Sequence, residues 1–211
     1  MDGALQTILF PGPAGPLEGL WKAAPASPAG TAVLAHPHPL HGGTLHNKVV
    51  FRMSRALSGA GYATLRFNFR GVGRSAGRHD AGRGEVEDFR AALAEAERRG
   101  GAPFLAGGFS FGAAVAARAI AGDPRVAGYV GVGLPLATES GREAPRPSVP
   151  ALYVSGTEDP FGPPELLRAF ARGARLVEIP GAGHFLEGSL DRLEAAIAEF
   201  VAALPAAPVP G

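Results

Sequence analysis

Two hydrophobic periods alternate along the chain. Short continuous apolar runs at Thr31–Ala35, Tyr62–Phe69, Phe104–Ala106, Val126–Val132, Ala151–Ser155 and Arg175–Ile179 read as strands. Between them lie longer segments whose apolar residues recur at three and four positions. Asn47–Ser58 places Val50, Met53, Ala56 and Leu57 on one helical face, and Glu85–Arg99 does so with Val86, Phe89, Leu93 and Ala96. Ala113–Ala121, Pro164–Ala171 and Leu190–Leu204 read as further helices. Strand–helix alternation of this kind predicts right-handed crossovers and a mostly parallel sheet with helices on both faces. Parallel strands are covered on both sides, which suits their unbroken apolar runs.

The ends of the chain read differently. Gln6–Phe10 and Leu17–Lys22 are strand-like and flank a proline-rich turn at Pro11–Pro16. This predicts an antiparallel hairpin at a sheet edge, where proline is tolerated. Residues 205–211 are expected to be a disordered tail, and 1–204 a single domain.

Most loops with chemical character follow a strand. In doubly wound sheets ligands bind beyond the carboxyl ends of the strands. There the chain places His36-Pro-His-Pro-Leu-His-Gly-Gly43, Ser110, Asp159 and His184. Gly108-Phe109-Ser110-Phe111-Gly112 fits the G-x-S-x-G elbow between a strand and a helix. The turn is tight, so glycine is wanted two residues to either side of the serine, and the following helix points its N-terminus at it.

A serine hydroxyl needs a base to take its proton and a carboxylate to hold that base. His184 is the one histidine downstream of Ser110, and Asp159 lies between them just past a strand end, with Glu158 as the rival acid. Ser110, Asp159 and His184 are the candidate catalytic residues. The oxyanion donors expected are the backbone N–H of Phe111 and, from the loop after Ala35, that of His38 or Leu40, with His38 preferred because Pro37 and Pro39 carry no N–H. Ser75 also sits among glycines but lacks the glycine frame and a helix directly after it.

Two other readings of these motifs were weighed. His36, His38, His41 and His46 have spacing that could chelate zinc, but their loop carries no carboxylate and its prolines suit a stiff scaffold, so no metal is expected. Gly71-Val-Gly-Arg-Ser-Ala76 fits a dinucleotide fingerprint only if a helix opens there, and the polar, glycine-punctuated run that follows argues against one. No cofactor is expected.

Composition narrows the classes further. Within 211 residues, 20 Lys and Arg balance 19 Asp and Glu for a net charge of +1, and no basic run marks a nucleic-acid partner. The absence of cysteine removes disulfides, thiolate zinc sites and a Cys nucleophile, and fits a cytoplasmic location. No signal-peptide pattern opens the chain, and no apolar stretch approaches the ~18 residues of a spanning helix, so no membrane partner is expected. The abundance of Arg over Lys fits a thermophile or a GC-rich genome.

These motifs together resemble the α/β-hydrolase superfamily, and within it a small, lidless bacterial group related to dienelactone hydrolases. The resemblance rests on His36–Gly43 with Asn47-Lys-Val-Val50, on Arg66–Ser75, on Gly108–Ala113, on Gly156-Thr-Glu-Asp159 and on Gly181-Ala-Gly-His-Phe185. It implies the α/β-hydrolase fold without a lid domain, Ser110 as nucleophile, Asp159 as acid and His184 as base. Dienelactone hydrolases proper carry Cys at the nucleophile, where this chain has Ser110. The connection from Leu134 to Pro150 leaves no room for a lid. With residues 40–45 it is expected to line an open pocket, and Leu40, His41, Phe109 and Leu134 are the candidate contacts. The function expected is that of a carboxylesterase for small or short-chain esters, working through an acyl-enzyme. A thioesterase or peptidase on the same residues, or a non-catalytic binding scaffold, are the alternatives. The expected partner is a small ester; a homodimer is compatible with this reading.

Overall fold

The computed structural model describes residues 4–205. The tail expected at 205–211 therefore lies, beyond Pro205, outside the described residues. Eight strands form one sheet in the order β1-β2-β4-β3-β5-β6-β7-β8. These are β1 (Leu5–Gly12), β2 (Gly15–Lys22), β3 (Gly30–Ala35), β4 (Tyr62–Phe67), β5 (Phe104–Phe109), β6 (Val126–Val132), β7 (Ala151–Gly156) and β8 (Arg175–Ile179). β2 pairs antiparallel with both neighbours, and every pair from β4 to β8 is parallel. The edge hairpin is thus as expected, with β1 outermost and Pro11 and Pro16 opposite each other near its turn.

The inner strands β3 to β7 are buried, as their apolar runs require, throughout except at Ala127 near the start of β6. Their side chains divide between two cores. On one face Val50, Met53 and Leu57 of α1 (Lys48–Gly59) meet Leu193, Ile197 and Phe200 of α6 (Leu190–Ala202) over Leu34, Leu105 and Val130. On the other, Phe89 and Leu93 of α2 (Arg83–Arg99) pack with the alanines of α3 (Phe111–Ala119) over Val33, Leu65 and Phe67. Alanine lets α3 lie close to the sheet, with Ala113, Ala114 and Ala116 fully covered.

The polar connection from Leu134 to Pro150 holds one unexpected element, α4 (Glu139–Arg142). Thr138 starts it by accepting the Gly141 N–H with its hydroxyl. A short 3-10 turn at Pro39–His41 is the other addition. Helix α5 (Pro164–Phe170) leads to the last strand.

This topology positions the site. The chain order reverses between β3 and β5, so their outgoing loops diverge from a shared crevice. Ala35 lies opposite Gly108 at the carboxyl ends of these strands. The histidine-rich loop and the elbow are therefore side by side.

Candidate active site

Ser110 joins β5 to α3 with φ 56° and ψ −122°, a strained conformation for a residue with a Cβ. Two contacts hold it there. Its N–H donates to Val132 O of the neighbouring strand over 2.8 Å, and its own carbonyl accepts Ala113 N–H over 2.9 Å. The flanking glycines are steric requirements. A Cβ on Gly108 would stand 2.6 Å from the Gly112 carbonyl, and one on Gly112 would stand 2.4 Å from His36 O.

Three of the residues singled out in the sequence meet in one chain of hydrogen bonds. Ser110 Oγ lies 2.9 Å from His184 Nε2, and His184 Nδ1 lies 2.8 Å from Asp159 Oδ2. An ionised carboxylate only accepts, so Nδ1 carries the proton and Nε2 is free to accept from the serine. Asp159 is buried and held on its other oxygen by the N–H groups of Phe161 (2.9 Å) and Gly162 (3.3 Å). Burial pushes its carboxyl up, but the hydrogen bond and charge of His184 and these backbone donors outweigh it and leave Asp159 below the usual carboxylate value. Glu158, the rival acid, is exposed. Ser75 is elsewhere: its hydroxyl donates to Asn68 O and accepts the Glu18 N–H.

Three phenylalanine rings enclose the His184 imidazole. Phe109 lies beneath it, its centroid 4.8 Å away, while Phe161 and Phe185 stand edge-on at 4.7 and 5.3 Å. These rings limit the directions in which the imidazole can turn.

Beside Ser110 two backbone donors are unspent. Phe111 is the first residue of α3, so its N–H has no intrahelical partner. No acceptor among the described residues takes it or the His38 N–H. The Leu40 N–H, the other sequence candidate, is spent on His38 Nδ1 at 3.2 Å. That bond also places the proton of a neutral His38 ring on Nε2.

His36 keeps this loop in place. It is fully buried, donates from Nδ1 to Pro37 O (2.6 Å) and accepts the Phe69 N–H at Nε2 (3.1 Å). With both nitrogens used it is not a metal ligand, and no group of three His, Asp or Glu side chains among the described residues could hold a metal ion. In the glycine-rich loop after β4 no helix opens until Arg83, so it offers no helix N-terminus to a pyrophosphate.

A crevice of about 670 Å³ opens above Ser110. Of the four candidate contacts, His41 is among its lining residues and Leu40, Phe109 and Leu134 are not. Leu40 turns to solvent and is 69 % exposed. Phe109 points from β5 into the core beneath α1 and α6. Leu134 is buried in the opposite core. The lining is made instead by residues that include Asn47, His79, Arg83, Thr138, Glu139 and Ser140. His79 follows a glycine-rich run and Phe161 follows Asp159-Pro160, so each stood next to a motif already noticed.

Sequence and structure comparisons place this site in a family. The profile of the alpha/beta hydrolase domain matches residues 29–194. The chain belongs to the α/β hydrolase family. An α/β serine hydrolase homologue from Coxiella burnetii is 37 % identical, with a TM-score of 0.83 over 92 % of this chain and 96 % of that one. XC6422 from Xanthomonas campestris, an α/β serine hydrolase without a lid, is 32 % identical with a TM-score of 0.87, covering 97 % of each chain. The uncharacterized protein RP471 of Rickettsia prowazekii is 40 % identical over 133 residues, which are 62 % of this chain and 56 % of that protein. This hydrolase, like XC6422, has no lid: its β6–β7 connection holds α4 alone. No helix among the described residues is long and apolar enough to cross a membrane.

Proposed function

We propose that this α/β hydrolase is a serine carboxylesterase acting on small esters. The observation that carries the proposal is the Ser110–His184–Asp159 chain, with bonds of 2.9 and 2.8 Å, beside the two unspent N–H groups of Phe111 and His38. Ser110 Oγ attacks the ester carbonyl as Nε2 of His184 takes its proton. Negative charge then grows on the carbonyl oxygen, where the two backbone donors and the N-terminus of α3 receive it. The imidazolium, stabilised by Asp159, returns the proton to the departing alcohol. Water enters the acyl-enzyme, again activated by His184, and the acid leaves.

The scheme uses only side chains and backbone of this chain, so EDTA should leave the rate unchanged. The test is labelling with a fluorophosphonate probe alongside turnover of 4-nitrophenyl acetate. A single adduct on Ser110, and loss of both signals in Ser110→Ala, is expected. Folded protein that takes no adduct and turns over no ester would sink the proposal and leave a binding scaffold.

A further inference from the structure

Resting on the esterase reading, we infer that the alcohol released by this site is a neutral, polyhydroxylated one of the sugar type, carried as an ester of a short acyl group. Small-molecule crevices are usually walled by apolar side chains with a few polar ones. Here polar side chains outnumber apolar ones in the lining, although apolar atoms still supply the larger share of its surface. Asn47, His38, His41, His79, Glu139 and Ser140 all line it.

Several of these groups have capacity left over. Asn47 Oδ1 accepts the N–H groups of Val49 and Val50 at the start of α1, which fixes the amide orientation and leaves the Nδ2 donors unused. His38 accepts at Nδ1 and so offers Nε2–H. The Glu139 carboxylate has no cation within ion-pair distance among the described residues. Donors and acceptors within one lining match an array of hydroxyls, each of which both donates and accepts.

Charge decides between polar classes. The cation nearest the crevice, Arg83, is already paired with Asp80 at 2.7 Å. Burial, then the neighbouring His79 and His41, hold His38 below the ordinary imidazole range, so it is neutral at neutral pH. His38 thus offers an anionic substrate no charge. A cationic alcohol would find Glu139, but that carboxylate is exposed and screened by solvent. Glu143, the other acid of the crevice, is already paired with Arg118 at 3.3 Å. A neutral alcohol depends on neither charge.

The apolar surface that remains is aromatic. Phe161 and Phe185 are 45 % and 42 % exposed and stand on either side of His184. Such flat, half-exposed rings suit the C–H face of a sugar ring. They do not form a channel for an alkyl chain, and Leu40, Phe109 and Leu134, which could have lined one, point elsewhere. The acyl group is therefore short.

The test compares kcat/KM for 6-O-acetylglucose and cyclohexylmethyl acetate, which share ring size and differ in hydroxyls. Acetylcholine and a glucose octanoate ester are run beside them, with 4-nitrophenyl acetate as the reference. The sugar acetate should exceed the cyclohexyl ester at least tenfold, because its hydroxyls pair with Asn47, His38 and Glu139, whereas the cyclohexyl ring displaces their water without replacing its hydrogen bonds. It should also exceed the choline and octanoate esters. In Asn47→Asp, which keeps the helix cap but loses the Nδ2 donors, the sugar-to-cyclohexyl ratio should fall several-fold. Turnover of 4-nitrophenyl acetate without preference for the sugar ester, or with preference for acetylcholine or octanoate, overturns this inference and leaves the esterase reading standing. No turnover of any ester, with no Ser110 adduct, overturns both.

Discussion

His36 accepts the backbone N–H of Phe69 at Nε2 over 3.1 Å, tying the loop after β3 to the loop after β4. An N–H can only donate, so this bond requires an unprotonated Nε2. Burial lowers the His36 pKa from 6.5 to about 4, against the opposite pull of Pro37 O. The linkage has a definite sign. Between pH 6.5 and 4 the unfolded chain binds a proton at this residue that the folded one refuses, so stability is whole above that window and falls as pH drops through it. The loss amounts to about 3 kcal/mol. Urea unfolding at pH 7, 5.5 and 4 should show this slope. His38, also lowered by burial, adds to it in the same sense. In His36→Gln the His36 share should vanish and the curve flatten. An unchanged slope would mean that His36 is protonated in the fold.

The second prediction concerns Asp159. Its Oδ1 takes the N–H groups of Phe161 and Gly162, while Oδ2 takes His184 Nδ1 and the Ser155 hydroxyl. In Asp159→Asn the amide oxygen stays with the backbone donors, which sets the NH2 against His184. Nδ1 then has to accept, the ring proton moves to Nε2, and Ser110 loses its base. We expect kcat to fall about 10³–10⁴-fold with the fold retained by circular dichroism. A loss below tenfold would show that another group holds the imidazole.

The glycines of the elbow make a third case. In Gly112→Ala the new Cβ meets His36 O at 2.4 Å and Ala35 O at 2.6 Å, backbone atoms that cannot rotate away. Either strand β3 or helix α3 must shift, at a cost of about 1–3 kcal/mol or more. Melting temperature and activity should drop together. Gly59, at the end of α1, is the contrast: nothing lies within 4 Å of its added Cβ. Gly59→Ala should stabilise the protein by about 0.5–1 kcal/mol through helix propensity. Equal behaviour of the two variants would contradict this steric account.

The same distinction explains what could be read from the sequence. Ser110 follows β5 directly, Asp159 and His184 lie a few residues past the ends of β7 and β8, and buried strands announce themselves by local apolar runs. The sheet places strand ends together, so loop residues there converge without further information. The crevice walls are different. Asn47, His79 and Ser140 come from three distant loops, and their meeting depends on packing that no local pattern reports. For Phe109, adjacency to Ser110 says nothing about direction; the strand's period of two turns its ring toward α1 and α6. Helix α4 spans four residues, too few for a period to register, and depends on the Thr138 cap and on Gly141 lying close to Pro135 O.

The last prediction separates the enclosure of His184 from the core. Phe161 is half in solvent, yet its ring stands 4.7 Å from the imidazole at 63°. Phe161→Ala keeps the backbone N–H that Asp159 accepts and removes only the ring. An aromatic contact of this kind contributes about 0.5–1.5 kcal/mol, so kcat should fall about three- to tenfold as the imidazole gains room to turn. The melting temperature should barely move, because little apolar area is lost from the core. Phe161→Tyr, which keeps the ring, should restore most of kcat, whereas Phe161→Leu should not. If leucine rescues as well as tyrosine, bulk alone confines His184 and the edge-on geometry has no part in it. If none of the three variants changes kcat, Phe109 and Phe185 suffice to hold the base.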